Sequence, residues 1–293
     1  MERFLLLLVT GFALGCVYGL VALGYSLIYK ASGLMSMLQG DVLTLGAYLG
    51  LTFYHFMGIP FAISLVATIA TAFLFGLLVE RGVIRILVGK EASIAYIVLA
   101  TIAITYIIQN GVNLIWGNIP LKFPSVFSVT TISILNVNVQ PEVLVTVVIS
   151  VLCMVALHFF MTKTRIGTSM RAAAMDAKAA EACGINTSLS TGITWGISAG
   201  IAAVAGMLIG PMYGVFSLLG ANIGRKGSAG AVAGGYGNMY GAIVGGIALG
   251  LMENFVAGYI SSHLRDLVSY TLLLVFLFAK PTGIFNERAI QDV

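Results

Sequence analysis

Long apolar runs separated by short polar connections dominate the chain. A helix needs about 20 apolar residues to cross the hydrocarbon core of a bilayer, and runs of this kind recur along the whole sequence. Those bounded by loop signals are residues 4–29, 34–57, 61–79, 94–116, 143–161, 191–215, 242–260 and 267–279. The pattern predicts an all-α, polytopic membrane protein with about eight transmembrane helices.

Two parts of the pattern are irregular. The run at 267–279 is short, and the segment 220–237 contains more glycine than a lipid-facing helix usually does. Irregular backbone at membrane depth has to be buried in protein, so we expect 220–237 to be a broken or half-crossing piece. Short or broken segments therefore accompany the full crossings, and we treat 1–293 as a single transmembrane domain.

Basic residues indicate which connections face the cytoplasm, because short cytoplasmic loops are enriched in Lys and Arg. One cluster lies at 81–90 and a second in the loop 163–190, and together they hold seven of the fifteen Lys and Arg residues. We expect both to be cytoplasmic and the connection 117–141 to lie outside. If every run is a full crossing, the N-terminus is outside, and one hidden half-helix would reverse this.

The composition agrees with a membrane protein and excludes several functions. The chain is 59% hydrophobic and 9% charged, with a mean hydropathy of +1.02, whereas soluble proteins carry about 25% charged residues. Basic cytoplasmic loops explain the net charge of +4 without a nucleic-acid partner. The histidines and cysteines lack metal-ligand spacing, and no nucleophile motif occurs. We expect a chain that is not an enzyme and has no cofactor or metal.

The loop 163–190 contains a stretch that looks soluble. Thr168 or Ser169 can cap a helix, an alanine-rich body follows, and Gly184 suits the left-handed residue that ends a helix. We predict a continuous cytoplasmic helix over 171–184, with one flat face of small side chains. That face comprises Met170, Ala173, Ala174, Ala177 and Ala180. It suits either a solvated connector or close docking to a cytosolic protein.

Several segments resemble the branched-chain amino acid permease family, the membrane subunits of bacterial ABC importers. Residues 165–171 (RIGTSMR), 179–186 (AAEACGIN) and the small-residue helix 201–210 look like the cytoplasmic coupling loop of that family. Other segments resemble family segments in the same order: 19–29, 46–48, 231–237, 241–246 and 281–284. The resemblance covers nearly the whole chain.

The resemblance implies a permease subunit of an ATP-driven importer. Its solute would be a small amino acid, most closely of the branched-chain type, or a related amide or carboxylate, moved across the bacterial inner membrane by alternating access. The implied partners are cytosolic ABC ATPase subunits, a second permease subunit that is identical or homologous, a periplasmic or extracellular solute-binding protein, and membrane lipid. The ATPase-coupling helix would contain Arg171, Ala174, Asp176, Lys178, Ala180, Glu181 and Gly184.

Polar residues at the start of the second run are candidates for a translocation pathway. A carboxylate near mid-membrane costs about 2.5–3.5 kcal/mol on insertion scales, so Asp41 should face protein or a water-filled path; the alternative is a helix cap at the membrane edge. Gln39 and Asp41 stand where the family commonly has His and Glu, so these residues do not identify the solute. The pathway candidates are Ser36, Gln39, Asp41, Thr44 and Lys226.

Other polar positions have a structural interpretation as well as a functional one. Residues 220–228 superficially resemble a phosphate loop, but the glycine spacing is one residue short and no strand precedes it, so ATP must bind elsewhere. Residues 233–237 resemble a potassium filter without its Thr-Val lead, and close helix packing is favoured. Arg225 and Lys226 could lie at an interface or meet an anion such as a solute carboxylate or Asp41. Gln109 and Asn113 are expected mainly to bind neighbouring helices.

An ion-coupled secondary transporter is the alternative function. Such proteins use broken helices and intramembrane acids to bind the coupling ion, and Asp41 fits that role. A channel is a weaker third option.

Overall fold

The structure is a computed structural model that describes residues 2–126, 131–134, 137–280 and 283–285. It is almost entirely helical. The helices are α1 (Glu2–Ser32), α2 (Gln39–Leu51), α3 (Phe61–Val79), α4 (Arg85–Gly89), α5 (Ile94–Trp116), α6 (Pro141–Lys163), α7 (Arg165–Met175), α8 (Ala177–Ala182), α9 (Thr187–Tyr213), α10 (Leu219–Gly234), α11 (Met239–Tyr259) and α12 (Arg265–Ala279). A π-helical turn, Thr52–Phe56, extends α2, and another, Glu80–Ile84, joins α3 to α4.

The predicted all-α, polytopic membrane fold is confirmed, but the count of eight crossings is not. Within the described part of the chain, six helices are long and apolar enough to cross a membrane, with α3 and α4 counted as one. The predicted run 34–57 corresponds to α2, which has 13 α-helical residues, and the predicted run 267–279 corresponds to α12, which has 15. Both are shorter than the roughly 20 residues of a full crossing.

Helix α9 forms the centre of the molecule. It packs against α1, α2, α3 and α6, and most of its length is buried. Its neighbours come close because the contact positions are small: a Cβ on Gly206 would overlap the carbonyl oxygen of Leu43, and one on Gly46 would overlap Ala203. Small residues at such crossings permit backbone approach in a membrane, where apolar burial supplies little driving force between helices.

The glycines near the C-terminal half serve two different purposes. Gly234 packs against Gly241, and Gly230 packs against Gly245 and Gly246, so α10 and α11 touch backbone to backbone, as expected. Gly235 and Gly237, which we also assigned to helix packing, instead lie in the turn between these helices. Their φ angles are +111° and +93°, in the region that favours glycine.

Contacts at the helix termini define two ends of the molecule. At what we call the basic end (residues 80–90 and 163–190), Arg85 binds Glu80 and donates to the carbonyl oxygen of Ser188 at 2.9 Å. At the opposite end, Arg3 donates to the carbonyl oxygen of Gly258. Helix α1 therefore starts at the opposite end and finishes at the basic end.

A small hairpin lies in the connection between α5 and α6. Its strands, β1 (Ile132–Ile134) and β2 (Val137–Val139), are antiparallel, with Ile132 opposite Val139. Val139 packs against Ala13 of α1 and Val143 of α6. The all-α prediction did not include this element, which lies at the end opposite the basic loops.

Candidate translocation site and coupling element

Helix α2 begins in the interior of the bundle. After α1 ends, residues 33–38 lead the chain back inward, and α2 starts at Gln39. The Gln39 side-chain amide donates to the carbonyl oxygen of Ser198 at 2.5 Å, and Ser198 donates to the carbonyl oxygen of Gly24 at 2.7 Å. Because Ser198 lies near the middle of α9, α2 begins about halfway across the molecule.

Two pathway candidates bind backbone at this entry. The Ser36 hydroxyl accepts a hydrogen bond from the Leu38 N–H at 3.2 Å, and the Thr44 hydroxyl accepts one from the Gly220 N–H at 2.8 Å. Both side chains are buried. Ser36 stabilises the irregular backbone between α1 and α2, and Thr44 connects α2 to the first turn of α10.

Helices α2 and α10 cross at their first turns. A Cβ on Gly40 would lie 3.0 Å from the Cα of Gly224, and one on Gly220 would overlap the Gly40 backbone. The predicted broken piece 220–237 is mostly the 16-residue helix α10, which also begins in the interior, beside Gly40 and Thr44. The molecule therefore contains two short helices whose N-termini meet at one depth.

A cavity of about 350 Å³ lies beside this crossing. We call it the Asp41 cavity; its walls include Asp41, Gln109, Gly40, Gly220 and Arg225. Asp41 accepts a hydrogen bond from the Gln109 amide at 2.8 Å. Asp41 thus lies in the interior against a cavity, and the alternative of a cap at the membrane edge is wrong. Gln109 binds a neighbouring helix, as expected, and also lines the cavity.

Lys226 lies elsewhere. Its ammonium donates to Glu253 of α11 at 2.6 Å and pairs with Asp266 of α12 at 2.7 Å. Glu253 is 1% exposed and also accepts from Arg265. Pairing of Lys226 with Asp41 was therefore a wrong alternative: an acid on α11 neutralises the ammonium in the interior, where an unpaired charge is costly.

These charges line a second cavity of about 280 Å³, which we call the Lys226 cavity. Lys226, Arg265 and Asp266 contribute to its wall, together with Tyr18 and Tyr213. Arg225 lines this cavity as well as the Asp41 cavity. One arginine therefore contributes to the walls of both cavities.

Sequence reasoning missed Glu253 and Arg265. The signal was present, because Glu253 is an acid within the apolar run 242–260. An acid at membrane depth is usually paired and functional. Only the approach of α10 to α11, however, identifies Lys226 as its partner.

The predicted single helix over 171–184 is two helices. Asp176 interrupts it with φ −155° and ψ 107°, so α7 ends at Met175 and α8 starts at Ala177. The Asp176 carboxylate accepts a hydrogen bond from the Ala179 N–H at 2.9 Å, which is an N-cap. The N-cap of α7 is Thr164, earlier than the predicted Thr168 or Ser169.

The predicted flat face is turned largely toward the protein. Met170 and Ala180 are 2% and 5% exposed, and the half-buried Ala174 lines a small cavity together with Leu27 and Thr194. Because the helix is broken at Asp176, α7 and α8 do not share one continuous face, so the helical spacing across 170–180 does not predict which of these residues are buried. The solvent-exposed surface of α8 consists of Ala177, Lys178, Ala179, Glu181 and Ala182.

The other predicted coupling residues lie on the exposed side. Arg171 and Asp176 are exposed, and Met175 is 76% exposed. Glu181 accepts a hydrogen bond from the Thr187 hydroxyl, which joins α8 to α9. Gly184 has φ +82°, so the predicted left-handed terminator is confirmed.

The family model described as "Branched-chain amino acid transport system / permease component" matches most of the chain, residues 7–277. The chain belongs to this family. The predicted resemblance to the family is thereby confirmed.

Curated relatives in this family are similar over nearly their full length. The high-affinity branched-chain amino acid transport system permease protein LivH of Escherichia coli is 33% identical, over 99% of this chain and 98% of its own. The same protein of Salmonella typhimurium matches to the same extent. BraD of Pseudomonas aeruginosa is 32% identical over 62% of each chain. These relatives are transport permeases, and this chain is a multi-pass membrane protein of the same kind.

A solved structure has a similar fold. PsaBC from Streptococcus pneumoniae in complex with Fab aligns with a TM-score of 0.53, over 97% of this chain and 94% of that one. The sequences are 12% identical. The match therefore concerns the helical architecture alone.

Proposed function

We propose that this chain is the permease subunit of an ATP-driven ABC importer for a branched-chain or other small amino acid, or a related amide or carboxylate solute. It works by alternating access in the bacterial cytoplasmic membrane. The family membership supports transport by a permease. The chain supplies the pathway, and separate ATPase subunits hydrolyse ATP.

The observation that carries the proposal is a continuous set of contacts between the coupling element and the Asp41 cavity. We define the coupling element as α7 and α8, residues 165–182. Its helix α7 packs against α9, and Ala174 and Thr194 line the same small cavity. Ser198, one turn further along α9, holds Gln39 at the start of α2. Displacement of α7 relative to the bundle would therefore be transmitted through packed side chains to Gln39, which precedes Gly40 and Asp41 in the sequence.

The exposed side of the coupling element suits a cytosolic partner. The small residues of α8 form a surface with few protruding side chains, next to the exposed Met175, and another backbone can approach it closely. Arg171, Lys178 and Glu181 place charges around this surface. The ATPase would bind there. Nucleotide-driven movement of the ATPases would then switch the cavity between the two sides of the membrane.

Further partners follow from the same importer function. A solute-binding protein would deliver the solute at the end opposite the basic end, beside the 117–140 connection. A second permease subunit, identical or homologous, would complete the pathway, with lipid covering exposed apolar residues such as those of α5. Among the pathway candidates, Asp41 would face the solute, Ser36, Gln39 and Thr44 would hold its surroundings, and Lys226 would stabilise α10 against α11 and α12.

The experiment compares uptake with ATP hydrolysis in proteoliposomes containing the purified complex of this chain, its ATPases and its binding protein. Gly184→Ala forces a Cβ into the left-handed region, which costs about 1 kcal/mol and disturbs the end of α8. We expect lower uptake and lower stimulation of the ATPase by loaded binding protein, with normal insertion. Glu181→Ala removes the acceptor of the Thr187 hydroxyl and tests that contact in the same way.

Gly58→Ala is the matched control for strain. Gly58 also follows a helix end with a positive φ, +66°, and a Cβ there, as at Gly184, would meet no atom within 4 Å, but it lies at the opposite end. Unchanged coupling in Gly184→Ala, or equal loss in both variants, would contradict the coupling assignment. Absence of ATP-dependent uptake by the unmodified complex would contradict the importer function.

Ion-coupled transport remains the second candidate because two acids, Asp41 and Glu253, are buried in the helical bundle. It predicts uptake that an imposed proton or sodium gradient drives without ATP. Uptake that an ionophore abolishes, while ATP has no effect, would favour this candidate over the importer.

A further inference from the structure

We propose that the Asp41 cavity binds an α-amino acid as a zwitterion: Arg225 and the first turns of α2 and α10 hold its carboxylate, and Asp41 holds its ammonium group. This inference rests on the importer function proposed above and names the residues that recognise the solute inside the membrane. It is carried by the juxtaposition of two helix N-termini, one arginine and one acid around a single cavity.

Two helix N-termini make part of the cavity wall positive. Gly40 belongs to the first turn of α2, and Gly220 and Ala221 belong to the first turn of α10; all three line the cavity. The positive end of a helix dipole lies at its first turn. Some of the leading N–H groups already have acceptors here, since the Gly220 N–H donates to Thr44 and the Asp41 N–H to the Leu38 carbonyl, so the dipole itself supplies most of the positive character. Neither N-cap residue, Leu38 nor Leu218, supplies a side-chain hydrogen bond. These turns can therefore attract an anionic group.

Arg225 adds a full positive charge to the same wall. Its guanidinium donates to two neutral oxygens, the Ala221 carbonyl at 3.0 Å and the Asn222 side chain at 2.7 Å. Lys226, beside it in sequence, is paired with two acids instead. The guanidinium fork matches the two oxygens of a carboxylate better than an ammonium does. Because Arg225 also lines the Lys226 cavity, its guanidinium is accessible from both spaces.

Asp41 supplies the opposite charge. Its carboxylate lies in the cavity wall and takes a hydrogen bond from the neutral amide of Gln109. A buried carboxylate is stabilised by a cation far more than by an amide alone. An amino acid lying between Arg225 and Asp41 would offer each of them its counter-charge without adding net charge to the membrane interior.

The size and remaining walls suit a small apolar side chain. The volume of about 350 Å³ lies near the lower end of small-molecule sites. Tyr25 and Met37 contribute apolar surface. A flexible methionine beside a bare glycine wall accommodates side chains of somewhat different shape.

The experiment measures equilibrium binding of radiolabelled leucine to the purified complex of permease and ATPases without binding protein. Leucinamide lacks the carboxylate and 2-hydroxyisocaproate lacks the ammonium group, and both serve as competitors. We expect each to compete about tenfold more weakly than leucine, since each leaves one charge of the site unpaired. Arg225→Gln should weaken leucine binding about tenfold, and leucinamide should then compete as well as leucine does. Asp41→Asn should also weaken leucine binding about tenfold, and 2-hydroxyisocaproate should then compete as well as leucine does.

Two further variants keep the test decisive. Arg225→Lys retains the charge but loses the fork, so leucine binding should fall between that of the unmodified complex and that of Arg225→Gln. Lys122→Gln removes one charge from an exposed position away from both cavities, and binding should not change. Loss of measurable binding to the unmodified complex, or variants that weaken leucine and both analogues equally, would overturn the site. In either case, retained ATP-driven uptake would leave the importer function standing, because that function fails only when uptake does not depend on ATP.

Discussion

The charge network around Glu253 supports a quantitative prediction about stability. One carboxylate oxygen of Glu253 accepts from both Lys226, at 2.6 Å, and Arg265. The Glu253 side chain is fully buried and that of Lys226 is nearly so, whereas the Asp266 side chain is 69% exposed. Buried ion pairs resist screening by salt. The network therefore connects α10, α11 and α12 through a single interior acid.

Replacement of Glu253 by Gln removes the charge that neutralises both cations. Lys226 keeps only the exposed Asp266, which contributes about 0–1 kcal/mol, and Arg265 keeps the Tyr213 hydroxyl at 3.1 Å. Breaking a buried ion pair on one side costs about 3–5 kcal/mol. Lys226→Met should cost about 1.5–3 kcal/mol, since Glu253 still accepts from Arg265.

The double variant Lys226→Met/Glu253→Gln distinguishes a coupled network from two independent sites. We expect it to lose no more stability than Glu253→Gln alone, because the Lys226 ammonium that Glu253→Gln leaves unpaired is absent from the double variant. Unfolding is measured by SDS titration in mixed micelles, with the fluorescence of Trp116 and Trp195 as the signal. Lys122→Gln serves as the surface control. Single-variant losses that add to within about 0.5 kcal/mol would refute the coupling.

Two further predictions concern packing and capping. Gly206→Ala places a Cβ against the α2 backbone and should destabilise the chain by about 1–3 kcal/mol. Gly111→Ala, where a Cβ meets no atom within 4 Å, should instead stabilise it by about 0.5–1 kcal/mol, since alanine is favoured over glycine inside a helix. Equal stability of both variants in the SDS titration would contradict the close crossing of α2 and α9. Asp176→Ala removes the N-cap of α8 and should cost about 1 kcal/mol of local stability, which lowers ATP-dependent uptake, whereas Asp176→Asn keeps an acceptor and should retain uptake; equal uptake by both variants would argue against the cap.

The membrane class and the two clusters of basic residues in loops were predictable because hydropathy and charge are properties of local sequence. The residues that form 94–116 and 143–161 are apolar over a full membrane thickness, whatever they pack against, and their helices appear at nearly those bounds. Gly184 was predictable as a helix terminator for a similar reason. A left-handed residue after an alanine-rich helix is a local requirement.

The coupling element shows where local reasoning stopped. Alanine-rich sequence favours an uninterrupted helix, but the Asp176 side chain caps the Ala179 N–H and the helix breaks there. Helix propensity and capping compete over a few tenths to about 1 kcal/mol. Burial of Met170 and Ala180 against the bundle decides between them, and that burial depends on helices distant in the sequence.

The sequence by itself determined that the chain spans a membrane with many helices and that its basic residues cluster in two loops, and it selected Asp41 as a candidate. Tertiary structure alone decided that α2 and α10 begin in the interior and meet at Gly40 and Gly220. It also decided that Lys226 pairs with Glu253, whereas Arg225 and Asp41 line one cavity. Hydropathy measures the cost of exposing a residue to lipid or water. It does not specify which buried charge approaches which, because those distances depend on how small residues far apart in sequence allow the helices to pack.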